Sequence, residues 1–380
     1  MRKKGKKLMN LLLALAALIV ATIVIVFVYL TIISSGQVQS FTDENGNIIP
    51  GSVAEKIKVE IGGIEQGMFI RGKDSNNPVL LFIHGGPGVP EYFLNETYPT
   101  DLENHFTVCW WEARGGGLSY HDNLDSSNLT TRQLIEDTIS VTEYLKNRFG
   151  EDKVYLMGHS FGTLIGIRAA AERPELYYSY IGMAQAVGND LGGSASNTLT
   201  YEFMFDVFTS RNDYTSLKKL DRWSIRHEDG TITFNQNYLG QLDDLKHKAG
   251  CGTMNSMDSV ITGIFLPQMN SKCYTLPEKI DYWRGKAFMR STAVYEEFSS
   301  ANLFEESLSF EIPIYFLSGT YDYTCPYPLS LKYFETLDAP LKGFYTFDNS
   351  AHSPLWEEPE RAINILVEDV LQGTNELSDK

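Results

Sequence analysis

Residues 158–162, Gly-His-Ser-Phe-Gly, restrict the possible folds of this chain more than any other stretch. The apolar run at 153–157 predicts a buried strand before the motif, and residues 163–172 predict a helix after it. A strand, a tight turn and a helix are the setting in which G-x-S-x-G presents a serine at the top of a sheet, and the flanking glycines leave room for its strained backbone. We therefore predict that Ser160 is a nucleophile.

Strands and helices alternate along most of the chain. Five further apolar runs predict strands, at residues 79–83, 106–111, 180–184, 312–317 and 343–347. Residues 131–149 predict one of the helices between them. This alternation is typical of an α/β fold with a mostly parallel sheet covered by helices on both faces, in which ligands bind at the carboxyl ends of the strands.

From residue 187 to residue 303 the alternation stops, and the pattern becomes polar, aromatic and mostly helical. We interpret this stretch as a helical cap inserted over the sheet. The complete predicted organisation is a basic head (1–7), an apolar span (8–33), a stalk (34–51), a core in two parts (52–186 and 304–373), the cap (187–303) and a polar tail (374–380).

The N-terminus predicts a transmembrane anchor. Five cations within residues 1–7 precede 26 residues, 8–33, that carry no charge and no proline. As a helix this run would measure about 39 Å, enough to cross a bilayer core of about 30 Å, and it is longer than the apolar region of a cleaved signal peptide. The basic head predicts a cytoplasmic N-terminus with the remainder of the chain outside the cell membrane. Cleavage near residues 34–36, which would give a secreted protein, is the alternative.

The part of the chain that follows the head is strongly acidic. The formal net charge of the whole chain is −16, and without the five cations of the head 27 basic residues face 48 acidic ones. Such a charge repels nucleic acid and mildly attracts ligands that carry an amine. We therefore expect no nucleic-acid partner.

The cysteines predict neither a metal site nor a cofactor. None of the four has the C-x-x-C spacing of a zinc or thioredoxin motif. Cys251 and Cys273 both fall in the predicted cap and could form a disulfide in an oxidising compartment, which the sequence leaves open.

A serine nucleophile needs a base and an acid that orients the base. After an elbow of this kind the chain order is serine, acid, histidine. His352 is the histidine that comes after the strand pattern resumes, and Asp322 ends the preceding predicted strand. We predict a triad of Ser160, Asp322 and His352, with Asp348 as the alternative acid.

The attack by the serine creates an oxyanion, which requires preorganised hydrogen-bond donors. The backbone N–H of Phe161, directly after the serine, is the first predicted donor. The second comes from the loop His-Gly-Gly-Pro-Gly at residues 84–88, with Gly86 favoured and Gly85 as alternative. We expect His84 to have a structural role in that loop.

The order of these motifs resembles the proline iminopeptidase-like α/β-hydrolases over roughly residues 50–372. The resemblance rests on His-Gly-Gly-Pro-Gly at 84–88, Arg-Gly-Gly-Gly-Leu-Ser at 114–119, the elbow, Gly-x-x-Asp at 319–322 and the late histidine. It implies a serine hydrolase with a helical cap, often an aminopeptidase. Two features depart from the family pattern: residues 112–113 are Glu-Ala instead of Asp-Gln, and the cap has no clear Trp-x-x-Trp-Glu segment.

The resemblance and the acidic composition favour small peptides or amides with a free N-terminal amine as substrates. An ammonium group under a cap needs a paired charge. We predict that a cap carboxylate binds it, with Glu202, Glu296 and Glu297 as candidates because each lies among aromatic residues. A carboxylesterase acting on small acyl esters is the alternative enzyme. A binding module without catalysis is disfavoured because all three candidate triad residues are present.

Overall fold

An eight-stranded sheet forms the centre of the protein. The computed structural model describes residues 2–188, 194–235, 237, 239–306 and 309–380. The strands are β1 (Val53–Ile61), β2 (Ile64–Gly72), β3 (Val79–Ile83), β4 (Thr107–Glu112), β5 (Val154–His159), β6 (Tyr177–Met183), β7 (Ser224–Arg226), β8 (Ile232–Phe234), β9 (Ile314–Gly319) and β10 (Lys342–Phe347). The order within the large sheet is β1-β2-β4-β3-β5-β6-β9-β10, and β7 and β8 form a separate hairpin.

The helices surround this sheet and fill the long connection between β6 and β9. They are α1 (Arg2–Ile33), α2 (Tyr92–Thr97), α3 (Leu102–His105), α4 (Thr131–Phe149), α5 (Phe161–Glu172), α6 (Ser194–Ser210), α7 (Tyr214–Trp223), α8 (Leu239–Ala249), α9 (Leu266–Asn270), α10 (Leu276–Met289), α11 (Ala293–Ser300), α12 (Tyr327–Thr336), α13 (Pro354–Glu357) and α14 (Pro359–Ile365).

Six strands, β3 to β6 with β9 and β10, run parallel to one another, whereas β1 and β2 are antiparallel additions at one edge. The predicted fold class, a mostly parallel sheet with helices, is therefore confirmed. Parallel strands end at the same edge of a sheet, so the loops after β3, β5, β9 and β10 meet there.

Strand β3 shows why both faces of the sheet are covered. Val79, Leu81 and Ile83 pack into one apolar cluster, whereas Leu80 and Phe82 pack into the cluster on the opposite face. Successive side chains of a strand point to opposite faces, so a continuous apolar run requires two buried faces.

The chain between β6 and β9, residues 184–313, is named here the inserted segment. Its described parts contain α6 to α11 and the β7–β8 hairpin. Met204, Phe208 and Leu220 form part of a third apolar cluster within this segment, and all three are fully buried. The segment therefore has an apolar core of its own beside the two clusters of the sheet.

Helix α1 carries the apolar span. Its residues Gly5–Ile33 form a 29-residue stretch in which an 18-residue window has a mean hydropathy of 3.3 and no buried residue. The stretch is long and apolar enough to cross a membrane, a property that signal sequences share. Directly after it, the Gly36 N–H donates to the Lys272 carbonyl at 3.0 Å, and Ser35 makes a bridge with Thr275. The first residues of the predicted stalk thus pair with the inserted segment.

All four cysteines are buried free thiols. Cys251 and Cys273, which the sequence left as a possible pair, are not bridged. The Cys273 thiol instead donates to Glu96 at 2.9 Å.

Candidate active site

Ser160 occupies a tight turn between β5 and α5. Its backbone has φ 53° and ψ −119°, a conformation that non-glycine residues rarely adopt. The glycines on either side permit this turn: a Cβ at Gly158 would lie 2.6 Å from the Gly162 carbonyl oxygen, and a Cβ at Gly162 would lie 2.2 Å from the Ile83 carbonyl oxygen. The strand, turn and helix predicted around the motif are therefore present, and they place Ser160 at the carboxyl edge of the sheet.

The structure brings Asp322 and His352 together. Asp322 follows β9 and His352 follows β10, and His352 Nδ1 lies 2.9 Å from Asp322 Oδ2. The other carboxylate oxygen, Oδ1, accepts the backbone N–H groups of Thr324 and Cys325 at 2.9 Å each. With Nδ1 donating to this anchored carboxylate, Nε2 is the ring nitrogen that can accept a proton.

The alternative acid lies elsewhere. Asp348 is exposed, and its backbone carbonyl accepts the Thr320 hydroxyl at 3.1 Å. The structure therefore pairs His352 with Asp322 and not with Asp348.

The two predicted oxyanion donors lie beside the serine. Phe161 is the first residue of α5, and Gly86 has φ 121° in the loop after β3. Within the described parts of the chain, neither backbone N–H has a protein acceptor. Gly85 is also close, because a Cβ there would lie 3.2 Å from Ser160 Cβ.

His84 has a structural role in this loop, as expected. Its Nδ1 lies 2.7 Å from the Gly85 carbonyl oxygen, and its Nε2 accepts the Ala113 N–H at 3.1 Å. Burial lowers the pKa of His84, which keeps the ring neutral and lets Nε2 act as an acceptor. The ring thereby ties the loop after β3 to the loop after β4.

A cavity of about 620 Å³ opens above Ser160. We call its lining at the strand ends the floor, which includes Gly86, Ser160 and His352, and its lining from the inserted segment the roof, which includes Ile264 and Phe298. A volume of this size fits a small organic molecule, since ligand pockets measure about 300–1,000 Å³.

Glu91 and His159 form a buried pair in the floor that the sequence analysis did not identify. His159 Nδ1 lies 2.7 Å from Glu91 Oε1, and His159 Nε2 lies 2.7 Å from the His352 carbonyl oxygen. With Glu91 ionised, both neighbouring oxygens are acceptors, so both ring nitrogens donate and the ring is an imidazolium. Burial lowers the pKa of His159, but the Glu91 carboxylate and the two hydrogen bonds outweigh this effect and raise the pKa above its ordinary value.

The second carboxylate oxygen of Glu91 has no partner. Oε2 is buried without a hydrogen bond to any described residue, and the residue as a whole is 7% exposed and lines the cavity. Unsatisfied buried carboxylate oxygens are rare and costly. Glu91 therefore keeps an unused acceptor at the wall of the cavity that contains Ser160.

The three carboxylates predicted to bind a substrate amine do not line the cavity. Glu202 and Glu296 are exposed. Glu297 Oε2 accepts the backbone N–H of Thr131 at 2.6 Å, at the first turn of α4. The aromatic neighbours of these residues are common to surface helices, so the sequence pattern did not distinguish them from solvated acids.

In the described ranges no three His, Cys, Asp or Glu side chains are grouped as metal ligands.

A family model for the α/β-hydrolase fold matches residues 78–359 of the chain. A relative in Bacillus subtilis named "Probable aminopeptidase YbaC" is 30% identical over 315 residues, which cover 83% of this chain and 96% of the relative. A "Proline iminopeptidase" of Saccharolobus solfataricus is 24% identical over 318 residues, which cover 80% of this chain and 87% of the relative.

Among solved structures, a proline iminopeptidase of Mycobacterium smegmatis superposes with a TM-score of 0.54. It is 14% identical, and the match covers 84% of this chain and 98% of that one. At this identity the likeness concerns the fold.

Proposed function

The chain belongs to the α/β-hydrolase fold family, and we propose that it is a serine hydrolase that removes the N-terminal residue from small peptides. The resemblance to proline iminopeptidase-like hydrolases found in the sequence is confirmed by the family match and by the named relatives. The aminopeptidase activity in this proposal is supported by the names of those relatives and, in this chain, by the unpartnered carboxylate oxygen of Glu91 beside Ser160.

In the proposed mechanism His352 Nε2 takes the hydroxyl proton as Ser160 Oγ attacks the scissile carbonyl carbon. The carbonyl oxygen becomes an anion and accepts the N–H groups of Phe161 and Gly86. His352 then gives its proton to the departing amine, which leaves an acyl-enzyme on Ser160. A water molecule then attacks the ester carbonyl carbon while His352 takes one of its protons. As the bond to Ser160 Oγ breaks and the N-terminal amino acid leaves, His352 returns this proton to Oγ and restores the serine hydroxyl.

Glu91 is the proposed partner of the substrate ammonium group. One carboxylate oxygen faces the His159 ring and the other is free, so the carboxylate can hold two cationic groups at once. An ammonium group loses its hydration when it enters the cavity. It recovers the most binding free energy from a hydrogen bond to a charged acceptor that has no other partner. Glu91 therefore takes the role that the sequence analysis gave to Glu202, Glu296 or Glu297.

Two measurements test this function. A fluorophosphonate probe should label the full-length protein at Ser160, and the Ser160→Ala variant should remain unlabelled. The kcat/KM of an aminoacyl amide should fall at least about tenfold when its amine is acetylated, because the acetyl group removes the charge that Glu91 would bind. Equal values for the two amides, together with turnover of acyl esters, would make the protein a carboxylesterase.

The same proposal includes the orientation of the protein in the membrane and the role of the predicted cap. Helix α1 would act as an uncleaved anchor with a cytoplasmic N-terminus, and residues 187–303 would act as a cap that restricts the size of substrates. Protease added to intact cells should remove the catalytic domain. Protection in intact cells followed by digestion after lysis would contradict this orientation.

A further inference from the structure

The roof of the cavity carries three basic side chains from two separate helices. Lys246 projects from α8, Lys286 from α10, and Arg290 follows the end of α10. Lys286 and Arg290 are spaced i, i+4, which places them on the same face of the chain. All three line the cavity that contains Ser160 and His352.

These basic groups have no acidic partner among the residues that the structure describes. Among the described residues, no carboxylate oxygen lies within 4.0 Å of the side-chain nitrogens of Lys246, Lys286 or Arg290. Two acids line the same cavity: Asp243 in the roof and Glu91 in the floor. Glu91 Oε1 already contacts His159 Nδ1. Among the described lining residues, lysine and arginine therefore outnumber aspartate and glutamate.

The surroundings of Lys286 disfavour its positive charge. Burial and the nearby charge of Arg290 lower the pKa of Lys286, against a partial compensation by Asp243. Its Nζ also lies over the Trp283 ring, 5.1 Å from the ring centroid. An anion in the cavity would remove the electrostatic cost of holding these cations together.

The positive charge of the roof contrasts with the composition of the chain. The chain has 48 acidic residues against 32 basic ones. In a chain of this composition, a basic side chain is expected to have an acidic partner. Three basic groups that line one cavity, two of them partly buried and Arg290 exposed, point to an anionic ligand, since a cluster of like charges is otherwise unfavourable.

We propose that Lys246, Lys286 and Arg290 bind the free C-terminal carboxylate of a peptide substrate. The proposal rests on the aminopeptidase function given above and defines its substrate class. In an aminopeptidase the leaving group carries the C-terminus, so the carboxylate reaches the roof while the ammonium group lies at Glu91 in the floor. Because both ends are bound inside about 620 Å³, the substrates are short peptides with two free termini.

Binding can be measured without turnover. The full-length Ser160→Ala protein in detergent is titrated by calorimetry with one tripeptide that has either a free C-terminal carboxylate or a C-terminal amide. We expect the Kd of the free acid to be at least tenfold lower, and the ratio to fall as the salt concentration rises. Salt screens contacts between charged groups, so the salt dependence shows whether the preference is electrostatic without the need for a further variant.

The side chains are tested by replacing all three, Lys246→Met, Lys286→Met and Arg290→Met, in the same background. The ratio of the two Kd values should approach one. A matched control with Lys218→Met and Lys219→Met removes two exposed lysines of α7 and should keep the ratio. If the triple variant does not fold, the Lys286→Met and Arg290→Met single variants should each reduce the ratio.

The outcomes separate this proposal from the function on which it rests. A Kd ratio of one in the Ser160→Ala protein, or a ratio that the triple variant keeps, would overturn the carboxylate site even if aminoacyl amides are hydrolysed. A tenfold ratio that the variants abolish would support the site even if no peptide is hydrolysed. A preference for phosphate-bearing acyl esters over neutral ones, without any preference among the peptides, would assign the three cations to a phosphate and overturn the peptide carboxylate.

Discussion

The floor and the roof of the cavity present different chemistry to the same volume. The floor is built from strand ends, and its groups are positioned by backbone: Ser160 by a strained turn, and Asp322 by two N–H donors. The roof is built from helices, and it presents long side chains such as Lys246 and Lys286. In the proposed mechanism the floor supplies the reacting groups and the acid that binds the substrate amine, whereas the roof supplies the basic groups proposed to bind the other end of the substrate.

The largest expected effect comes from removing the proposed nucleophile in the floor. Ser160→Ala should reduce kcat by at least about 10⁴-fold, and His352→Ala nearly as much, because triad members act as a unit and the double variant should be little worse than either single one. Ser299→Ala is the matched control, since Ser299 lines the roof of the same cavity. Full turnover by a folded Ser160→Ala protein would show that Ser160 is not the nucleophile.

A second change in the floor tests the acid. Asp322→Asn should reduce kcat by roughly 10³–10⁴-fold, because the amide can no longer hold His352 with its proton on Nδ1. Asp348→Asn, a change of the same kind at the exposed alternative acid, should leave kcat within about twofold. Comparable losses in both variants would contradict the pairing of Asp322 with His352.

A smaller effect, on selectivity, is expected from Glu91→Gln. The loss of its charge should reduce kcat/KM for an aminoacyl amide with a free amine by about 10–100-fold, and for the acetylated amide by much less. Glu202→Gln, a neutralised acid in an exposed position of α6, should change neither value. If the free and acetylated amides lost activity equally in Glu91→Gln, Glu91 would act only through the position of His159.

The smallest effect concerns a contact between the sheet, beneath the floor, and the inserted segment, which carries the roof. Burial raises the pKa of Glu112 to about 7, and this carboxyl group accepts the Tyr274 hydroxyl from the inserted segment and the Leu118 N–H at 2.5 Å. The folded protein therefore binds a proton that the unfolded chain releases near its ordinary pKa of about 4.5, so the free energy of unfolding should fall as pH rises from about 4.5 to 7, by on the order of 1–3 kcal/mol.

Glu112→Gln should remove part of this pH dependence in denaturant unfolding of the full-length protein. Burial also raises the pKa of Glu357 to about 7, so some of the slope should remain. The control is Glu60→Gln, an exposed position of β1, which should leave the slope unchanged. An identical pH dependence in wild type and Glu112→Gln would show that Glu112 is ionised throughout this range.

Most of the fold could be predicted from the chain alone. The helix predicted at residues 131–149 is α4, with Thr130 as its N-cap and Gly150 in the left-handed conformation at its end. The strands predicted at 79–83 and 312–317 correspond to β3 and β9. Such elements depend on neighbours in sequence: apolar runs, caps and glycines, which act within a few residues.

The sequence by itself determined the elbow around Ser160, and it singled out Asp322 and His352 by chain order and by their places after strands. Each of these inferences depends on local backbone geometry and on the common edge of parallel strands. The 2.9 Å contact between Asp322 and His352 then follows from the adjacency of β9 and β10.

Only the tertiary structure decided which charged side chains enter the cavity. Glu297 pairs with the start of α4, whereas Glu91 meets His159, which lies 68 positions away in the chain. Lys246 and Lys286 likewise converge from different helices. An acid or a base on a helix has the same local pattern whether it faces water or a cavity, because its environment is supplied by residues distant in sequence; burial and pairing, not the local pattern, assign it a role.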